Sequence, residues 1–260
     1  MRCRLCGGSD LKIYYTQGDR DQFRFHKCET CRLVNLDLSE GMDQAKYTDV
    51  FIDPMDMSQS HNIVQKATYD FIRSRIRARG RLLDIGCGNG HLLLEARGDG
   101  WQVEGLELSP AYAEAIKAKL GMDVVVTDLF DFDVPEERFD LVVMRHVLEH
   151  IPDSIAAMRK IRTLLLPGGY AVLEFPNIEA PELKWKRFLR KSGLHRKSYA
   201  ENYRPGHCNE FCKKSFSYLL GKIGFNLVEW QTYSSTPLLN PIYALTGIGA
   251  KARVLIQKED

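Results

Sequence analysis

A short apolar segment, Arg81–Ile85, runs directly into Gly86-Cys87-Gly88-Asn89-Gly90, and a helical segment, Gly90–Arg97, begins on the last of these glycines. This junction of strand, glycine turn and helix constrains the fold more than any other feature. Glycines at alternate positions let the backbone turn tightly and approach a ligand closely. The helix behind them offers unpaired N–H groups at its start. In an open α/β sheet such a turn lies beyond the carboxyl end of a strand, where ligands bind.

The rest of the chain extends the alternation. Apolar positions in His61–Arg79 recur at helical spacing, and Gly80 is expected to end that helix. Strands are predicted at Val103–Leu108, Asp123–Thr127, Phe139–Met144, Tyr170–Glu174, Phe225–Trp230 and Ala252–Gln257. Helices are predicted at Ala111–Leu120, Ile155–Leu166 and Lys213–Ile223, the first with Ser109 as N-cap and Pro110 at its first position. Strands separated by helices imply a parallel sheet covered on both faces, a doubly wound α/β domain over residues 61–260. Ahead of it, residues 1–40 are polar and cysteine-punctuated, with short strand candidates Leu11–Tyr15, Phe23–Lys27 and Leu33–Leu36. Residues 41–60 read as a linker or cover segment.

Acidic residues stand at three successive strand ends. Asp84 precedes the glycines, where a carboxylate repels pyrophosphate and suits an ammonium or sulfonium group. Glu107, 23 residues later, is placed to accept from ribose hydroxyls. Asp128 is placed to accept from an exocyclic amine, with Leu129 and Phe130 as apolar flanks. The dinucleotide fingerprint fails, because its sixth position is His91, and no Gly-Lys-Ser/Thr follows to make a phosphate loop. The three acids outline adenine, ribose and a cationic amino-acid tail.

These residues resemble the class I S-adenosylmethionine (SAM)-dependent methyltransferases of the small-molecule type. Leu83–Gly90 matches the family's first motif, Glu107 its ribose acid and Asp128-Leu129 its adenine contact. The run Phe139–Ile151 resembles its fourth-strand motif, and Leu166-Pro167-Gly168-Gly169 the turn before strand five. The resemblance covers about residues 65–257 and implies a seven-stranded, mostly parallel, Rossmann-like sheet whose last strand runs antiparallel. It implies SAM as cofactor, with S-adenosylhomocysteine as product. The cofactor-binding residues it indicates are Asp84, Gly86, Cys87, Gly88, Gly90, Glu107, Leu108, Asp128, Leu129 and Arg145.

Cys3-x-x-Cys6 and Cys28-x-x-Cys31, separated by 21 residues, have the spacing of a four-thiolate structural zinc site. Such a zinc ribbon supplies folding energy that so short a segment lacks. Its use is open between a small-molecule lid, a protein contact and RNA, as in some ribosomal-RNA methyltransferases of similar layout. Mixed charge between the knuckles (Arg20, Arg24 and Lys27 against Asp19, Asp21 and Glu29) is a poor footprint for nucleic acid.

On the acceptor side, His146 follows strand four and His207 lies in Arg204-Pro205-Gly206-His207. Both are candidates for catalysis or acceptor binding, since a general base is needed where the acceptor keeps its proton. His207 matches the last histidine of a Tyr-His-Glu-His run in deoxysugar C-methyltransferases, which also carry an N-terminal zinc site. The tyrosine and glutamate of that run fall at Arg204 and Gly206 here, which argues against sugar C-methylation. Glu149-His150 reads as packing and capping, and Cys208 and Cys212 as core. Residues 177–207 read as a lid insertion; seven of the fourteen residues 184–197 are Lys or Arg, which suits a solvated helix face, an anionic acceptor or RNA. The apolar segment Thr232–Ile248 suits a cover over the site or contact with a twin subunit.

The expected function is methyl transfer to a small-molecule acceptor, an oxygen nucleophile first. The alternatives are a sugar C- or N-methyltransferase, an RNA methyltransferase, and an inactive zinc-ribbon interaction protein. A net charge of +2 argues neither for nor against a nucleic-acid partner, and no apolar run reaches membrane-spanning length. A cytoplasmic monomer or homodimer is the expectation.

Overall fold

The computed structural model describes residues 1–43, 52–192, 198–234 and 239–259. The N-terminal part holds β1 (Leu11–Gln17), β2 (Phe23–Cys28) and β3 (Val34–Leu36). Then come α1 (Ser60–Arg75), β4 (Arg81–Ile85), α2 (His91–Gly98), β5 (Gln102–Glu107), α3 (Pro110–Leu120), β6 (Val124–Val126) and β7 (Phe139–Arg145). The chain continues through α4 (Ser154–Leu164), β8 (Leu165–Pro176), α5 (Pro181–Lys191) and β9 (Asn209–Glu210). It ends with α6 (Lys213–Gly221), β10 (Phe225–Tyr233), α7 (Asn240–Thr246) and β11 (Lys251–Lys258).

The main sheet has seven strands in the order β10-β11-β8-β7-β4-β5-β6. Strands β8, β7, β4, β5 and β6 pair in parallel, and β11 runs antiparallel between β8 and β10. This is the doubly wound, Rossmann-like sheet that the resemblance implies, with its last strand reversed. Its centre is buried on both faces. Leu141 and Val143 of β7 pack with Tyr69, Ile72, Leu92 and Ile116 on one side. Val142 and Met144, pointing the other way, pack with Met158, Ile161 and Phe216.

Local signals set the element ends. Ser109 caps α3 by accepting from the Tyr112 N–H at 3.3 Å, and Gly121, at φ +60°, closes that helix. Helix α1 and strand β8 depart from the sequence reading, as do β9 and α7, where no element was expected. Helix α1 stops at Arg75, short of Gly80, because Ile76 turns extended. Arg79 then folds back, donating to the Ile76 and Arg77 carbonyls and pairing with Asp99. Leu166–Gly169 lies inside β8 as a slip in its register with β7, since Phe139 pairs with Leu165 and Leu141 with Tyr170.

The N-terminal strands form a second sheet, β1-β2-β3-β9, whose fourth strand comes from beyond α5. Asn35 pairs with Asn209 and Val34 with Glu210. The Arg4 guanidinium ties this seam, donating to the Asn209 side chain at 3.1 Å, the Leu36 carbonyl at 2.8 Å and the Cys208 carbonyl. Leu5 and Leu33 share one apolar cluster with Phe175, Phe211 and Phe216. The described part of the 177–207 segment leans on β1: Arg187 donates to the Tyr14 hydroxyl at 2.5 Å and Tyr203 to Gln17 at 2.5 Å. Residues 193–197 of its basic stretch lie outside the described residues. Among the described residues no helix is long and apolar enough to cross a membrane.

Candidate active site

The glycine turn borders a cavity of about 260 Å³ beyond the carboxyl ends of β4, β7 and β8. Asp84, Gly86, Cys87, Gly88, Arg145 and His146 line it, as do His61, Gln65 and Lys251. Gly86, Gly88 and Gly90 all have positive φ. A Cβ on Gly86 would meet the Val147 side chain at 2.5 Å, whereas a Cβ on Gly88 would meet nothing within 4 Å. The turn is therefore tight at its root and open at its tip, the shape of a ligand cradle. Glu107 holds the cradle in place: its buried carboxylate accepts from the N–H groups of Gly88 (2.9 Å), Leu108 (2.9 Å) and Ser109 (3.1 Å). Two oxygens with about four lone-pair sites still leave room for one more donor. Leu108 and Phe130 are exposed near the ends of β5 and β6, Leu129 is buried, and Asp128 accepts from the Phe130 N–H at 2.8 Å.

A polar latch fixes the turn from above. Asn89 donates to the Ile52 carbonyl (3.0 Å) and to Asn62 (2.7 Å), and accepts from Gln65 (2.8 Å). His91 Nδ1 lies 2.6 Å from the Pro54 carbonyl. The described part of the 41–60 segment is thereby docked onto the glycine turn.

The cavity wall is sorted by charge. Burial pushes the Asp84 carboxyl up to about 7, against the pull of Arg145 and with the help of Glu107 and Glu174. Arg145 donates to Glu174 at 2.8 Å. Glu174, fully buried at the end of β8, also accepts from Thr68 (2.7 Å), Tyr233 (2.8 Å) and Arg253. Burial alone would raise its carboxyl, but Arg145 and Arg253 outweigh it and hold it well below the usual carboxylate range. Burial lowers Lys251 and, with Arg145 close by, brings His61 down to about 4, so His61 is neutral at physiological pH. Asp84 thus faces a cavity that also carries two cationic side chains, Arg145 and Lys251.

His146 reaches the cavity from a strained backbone, φ +54°, with its N–H on the Glu174 carbonyl at 2.8 Å. Its Nδ1 lies 3.2 Å from one oxygen of Glu149, which is almost completely buried. His207 is not among the residues that line the cavity; it stands near Glu149, with its ring edge-to-face against His150 at 4.8 Å. Burial lowers its pKa, with Glu149 working against that shift. Cys208 and Cys212 are fully buried, Cys212 as the N-cap of α6.

At the N-terminus the four knuckle sulfurs lie within 4.8 Å of one another. Sγ of Cys3 is 3.5 Å from Cys31, and Cys6 is 3.4 Å from Cys28. Tetrahedral zinc with bonds of about 2.3 Å asks for sulfur separations of roughly 3.8 Å. The Gly8 N–H, 3.4 Å from the Cys6 sulfur, and the Asn35 amide, 3.7 Å from Cys3, supply donors suited to thiolates.

Sequence reasoning did not find Glu174, Arg253, Thr68, His61 or Lys251. Glu174 had a signal: it is the one charge inside the apolar run Val172-Leu173-Glu174-Phe175, and a charge buried in a central strand needs partners. The others come from distant segments and had none.

A methyltransferase-domain family model matches residues 62–230. A ubiquinone biosynthesis O-methyltransferase of Xanthomonas campestris is 34% identical over 116 residues, 42% of this chain and 48% of that protein. The chain thus spans about half the length of such relatives. A malonyl-[acyl-carrier protein] O-methyltransferase of Enterobacter lignolyticus is 28% identical over 202 residues, 74% of each chain. Among solved structures, a SAM-dependent methyltransferase from Archaeoglobus fulgidus superposes with a TM-score of 0.55 at 17% identity, covering 75% of this chain and 94% of that one. A Pyrococcus horikoshii protein gives 0.59 at 15% identity, covering 81% and 95%.

Proposed function

The chain belongs to the methyltransferase-domain family, and from that premise we propose that it methylates an oxygen of a small-molecule acceptor, using SAM. The observation that carries this is Asp84, a carboxylate beside an open glycine cradle, held near 7 because its burial outweighs the pull of Arg145. A ligand that brings an ammonium or sulfonium group satisfies it. Glu107 would hold the ribose, Asp128 and Leu129 the adenine, with Leu108 flanking it, and Arg145 or Lys251 the carboxylate of the amino-acid tail. SAM, when bound, supplies a methyl group activated on a sulfonium. The chain aligns the acceptor and keeps water out. His146, at the cavity wall and backed by Glu149, is the group placed to take the acceptor's proton, with His207, near Glu149, serving the acceptor. Oxygen is favoured because the relatives are named as O-methyltransferases. An anionic acceptor is favoured by Arg145 and Lys251.

The reading includes structural zinc on Cys3, Cys6, Cys28 and Cys31, and a cytoplasmic location, where those thiols stay reduced. It divides the chain into a zinc ribbon (1–40), a cover segment (41–60) and a catalytic domain (61–260) with a lid insertion at about 177–207. Isothermal titration of the folded, zinc-loaded protein with SAM tests it, and absence of binding would sink it. His207→Ala is expected to cut turnover while leaving SAM affinity nearly unchanged; equal loss of both would mark that residue as structural.

A further inference from the structure

Beyond the cofactor cavity and the thiol cluster, one group of side chains is arranged as if around a cation. Glu149, His150 and His207 each offer a ligand atom, and these atoms all lie within 4.8 Å of one another. Glu149 is 1% exposed, and its Oε2 is buried without a hydrogen-bond partner. Its other oxygen is engaged by His146. A buried, ionised carboxylate oxygen without a donor is costly, and a metal ion would remove that cost. His150 Nδ1 sits 3.0 Å from the Gly206 carbonyl, so it is the protonated nitrogen and Nε2 keeps its lone pair. That is the outer contact that orients a metal-binding imidazole. The backbone supports the same arrangement from the far side, since the Cys208 N–H donates to the Glu149 carbonyl at 2.9 Å and locks the His207 loop against the Leu148–His150 turn.

We infer that Glu149, His150 and His207 form a second metal site, separate from the thiol cluster, for a divalent cation of the zinc, cobalt or manganese class. Two imidazoles and one carboxylate suit such borderline ions and leave coordination positions open. The site adjoins His146 through Glu149, and an open position would take an anionic oxygen of the acceptor or a water. His207 then acts as a ligand, and His146 remains the group that handles a proton. The site itself stands on these residues alone; only its use toward an acceptor rests on the methyltransferase reading.

The test counts metal on the full-length protein. After dialysis against Zn²⁺, elemental analysis should give two ions per chain in the wild type and one in Glu149→Gln and in His207→Ala. Titrating the protein whose thiol site already holds Zn²⁺ with Co²⁺ should produce ligand-field absorption without thiolate charge transfer. Removing a ligand should weaken that binding by at least about 100-fold, the scale on which even outer-contact losses act. Circular dichroism checks that each variant is folded, and His207→Ala, in a partly exposed loop, carries the test if Glu149→Gln does not fold. A wild type that stops at one ion per chain would overturn the proposal. So would a second ion that survives both substitutions with unchanged affinity. A protein that takes two ions yet gives no heat with SAM would keep this site and lose the methyltransferase reading.

Discussion

At Asp84, binding and stability oppose each other. Its carboxyl sits at about 7 in the folded chain against an ordinary value of 3.8. A folded-state pKa raised in this way gives stability that is complete below about 3.8 and lost as pH rises through 7. The loss is on the order of 4 kcal/mol for a shift of that size, unless a cation arrives. Asp84→Asn removes the charge, so the ligand-free variant should melt higher than the wild type at pH 8.5, with the gap narrowing toward pH 4. In the wild type SAM affinity should rise with pH through 7, and in the variant it should be weak and flat. Differential scanning fluorimetry and titration calorimetry over that range decide; a variant no more stable at pH 8.5 would refute the argument. Glu174 is the converse case. Its carboxylate already has Arg145 and Arg253, so Glu174→Gln leaves two buried guanidinium groups short of a counter-charge. Urea denaturation should show a loss of about 3–5 kcal/mol, together with weaker SAM binding as Arg145 loses its anchor.

Elements were legible where the chain repeats a local period. The main-sheet strands and their crossover helices announced themselves through apolar runs of the right length, the Ser109-Pro110 start and the Gly121 stop. The positions of the three acids were legible, since Asp84 and Glu107 lie at the carboxyl ends of β4 and β5 and Asp128 follows β6. What escaped was non-local. Strand β9 is two polar residues, Asn209–Glu210, with no period to read, yet it completes the N-terminal sheet. Helix α1 was overrun by four residues because Arg79, whose partner Asp99 lies across a strand and a helix, turns the chain out early. The Glu174 network was hidden for the same reason, since its partners come from α1, β7, β10 and β11. The ribbon shows the consequence for stability. Its sulfurs lie next to Leu5 and Leu33, which pack on Phe211 and Phe216 of the larger part. Stripping metal from the thiol site should therefore lower the melting temperature of the whole chain and not release a separate early transition. A strong zinc chelator with a colorimetric zinc assay and a calorimetric scan measures both; a two-step melt in which the first step alone responds to chelator would contradict this.

At the scale of the whole molecule, the two sheets do not behave as beads on a string. The N-terminal sheet borrows β9 from the long connection between β8 and α6, and that connection also carries α5, which Arg187 fixes to Tyr14, and His207. The ribbon therefore positions the loop that brings His207 to Glu149. Deleting residues 1–40 would unpair Asn209 and Glu210, strand the Cys208 carbonyl that Arg4 now satisfies, and bare Ile178, Phe211 and Cys212. Each large apolar side chain returned to water costs about 1.5–3 kcal/mol, and a domain holds only about 5–15 kcal/mol in all. A chain truncated to residues 41–260 should accordingly be insoluble, or melt without a cooperative transition and give no heat with SAM, although every residue proposed to contact the cofactor is retained. Supplying residues 1–40 in trans with zinc should restore part of the transition if the seam is what was lost. A truncated chain that melts cooperatively at the full-length temperature would show instead that the ribbon is an appendage and that the methyltransferase core holds the His207 loop unaided.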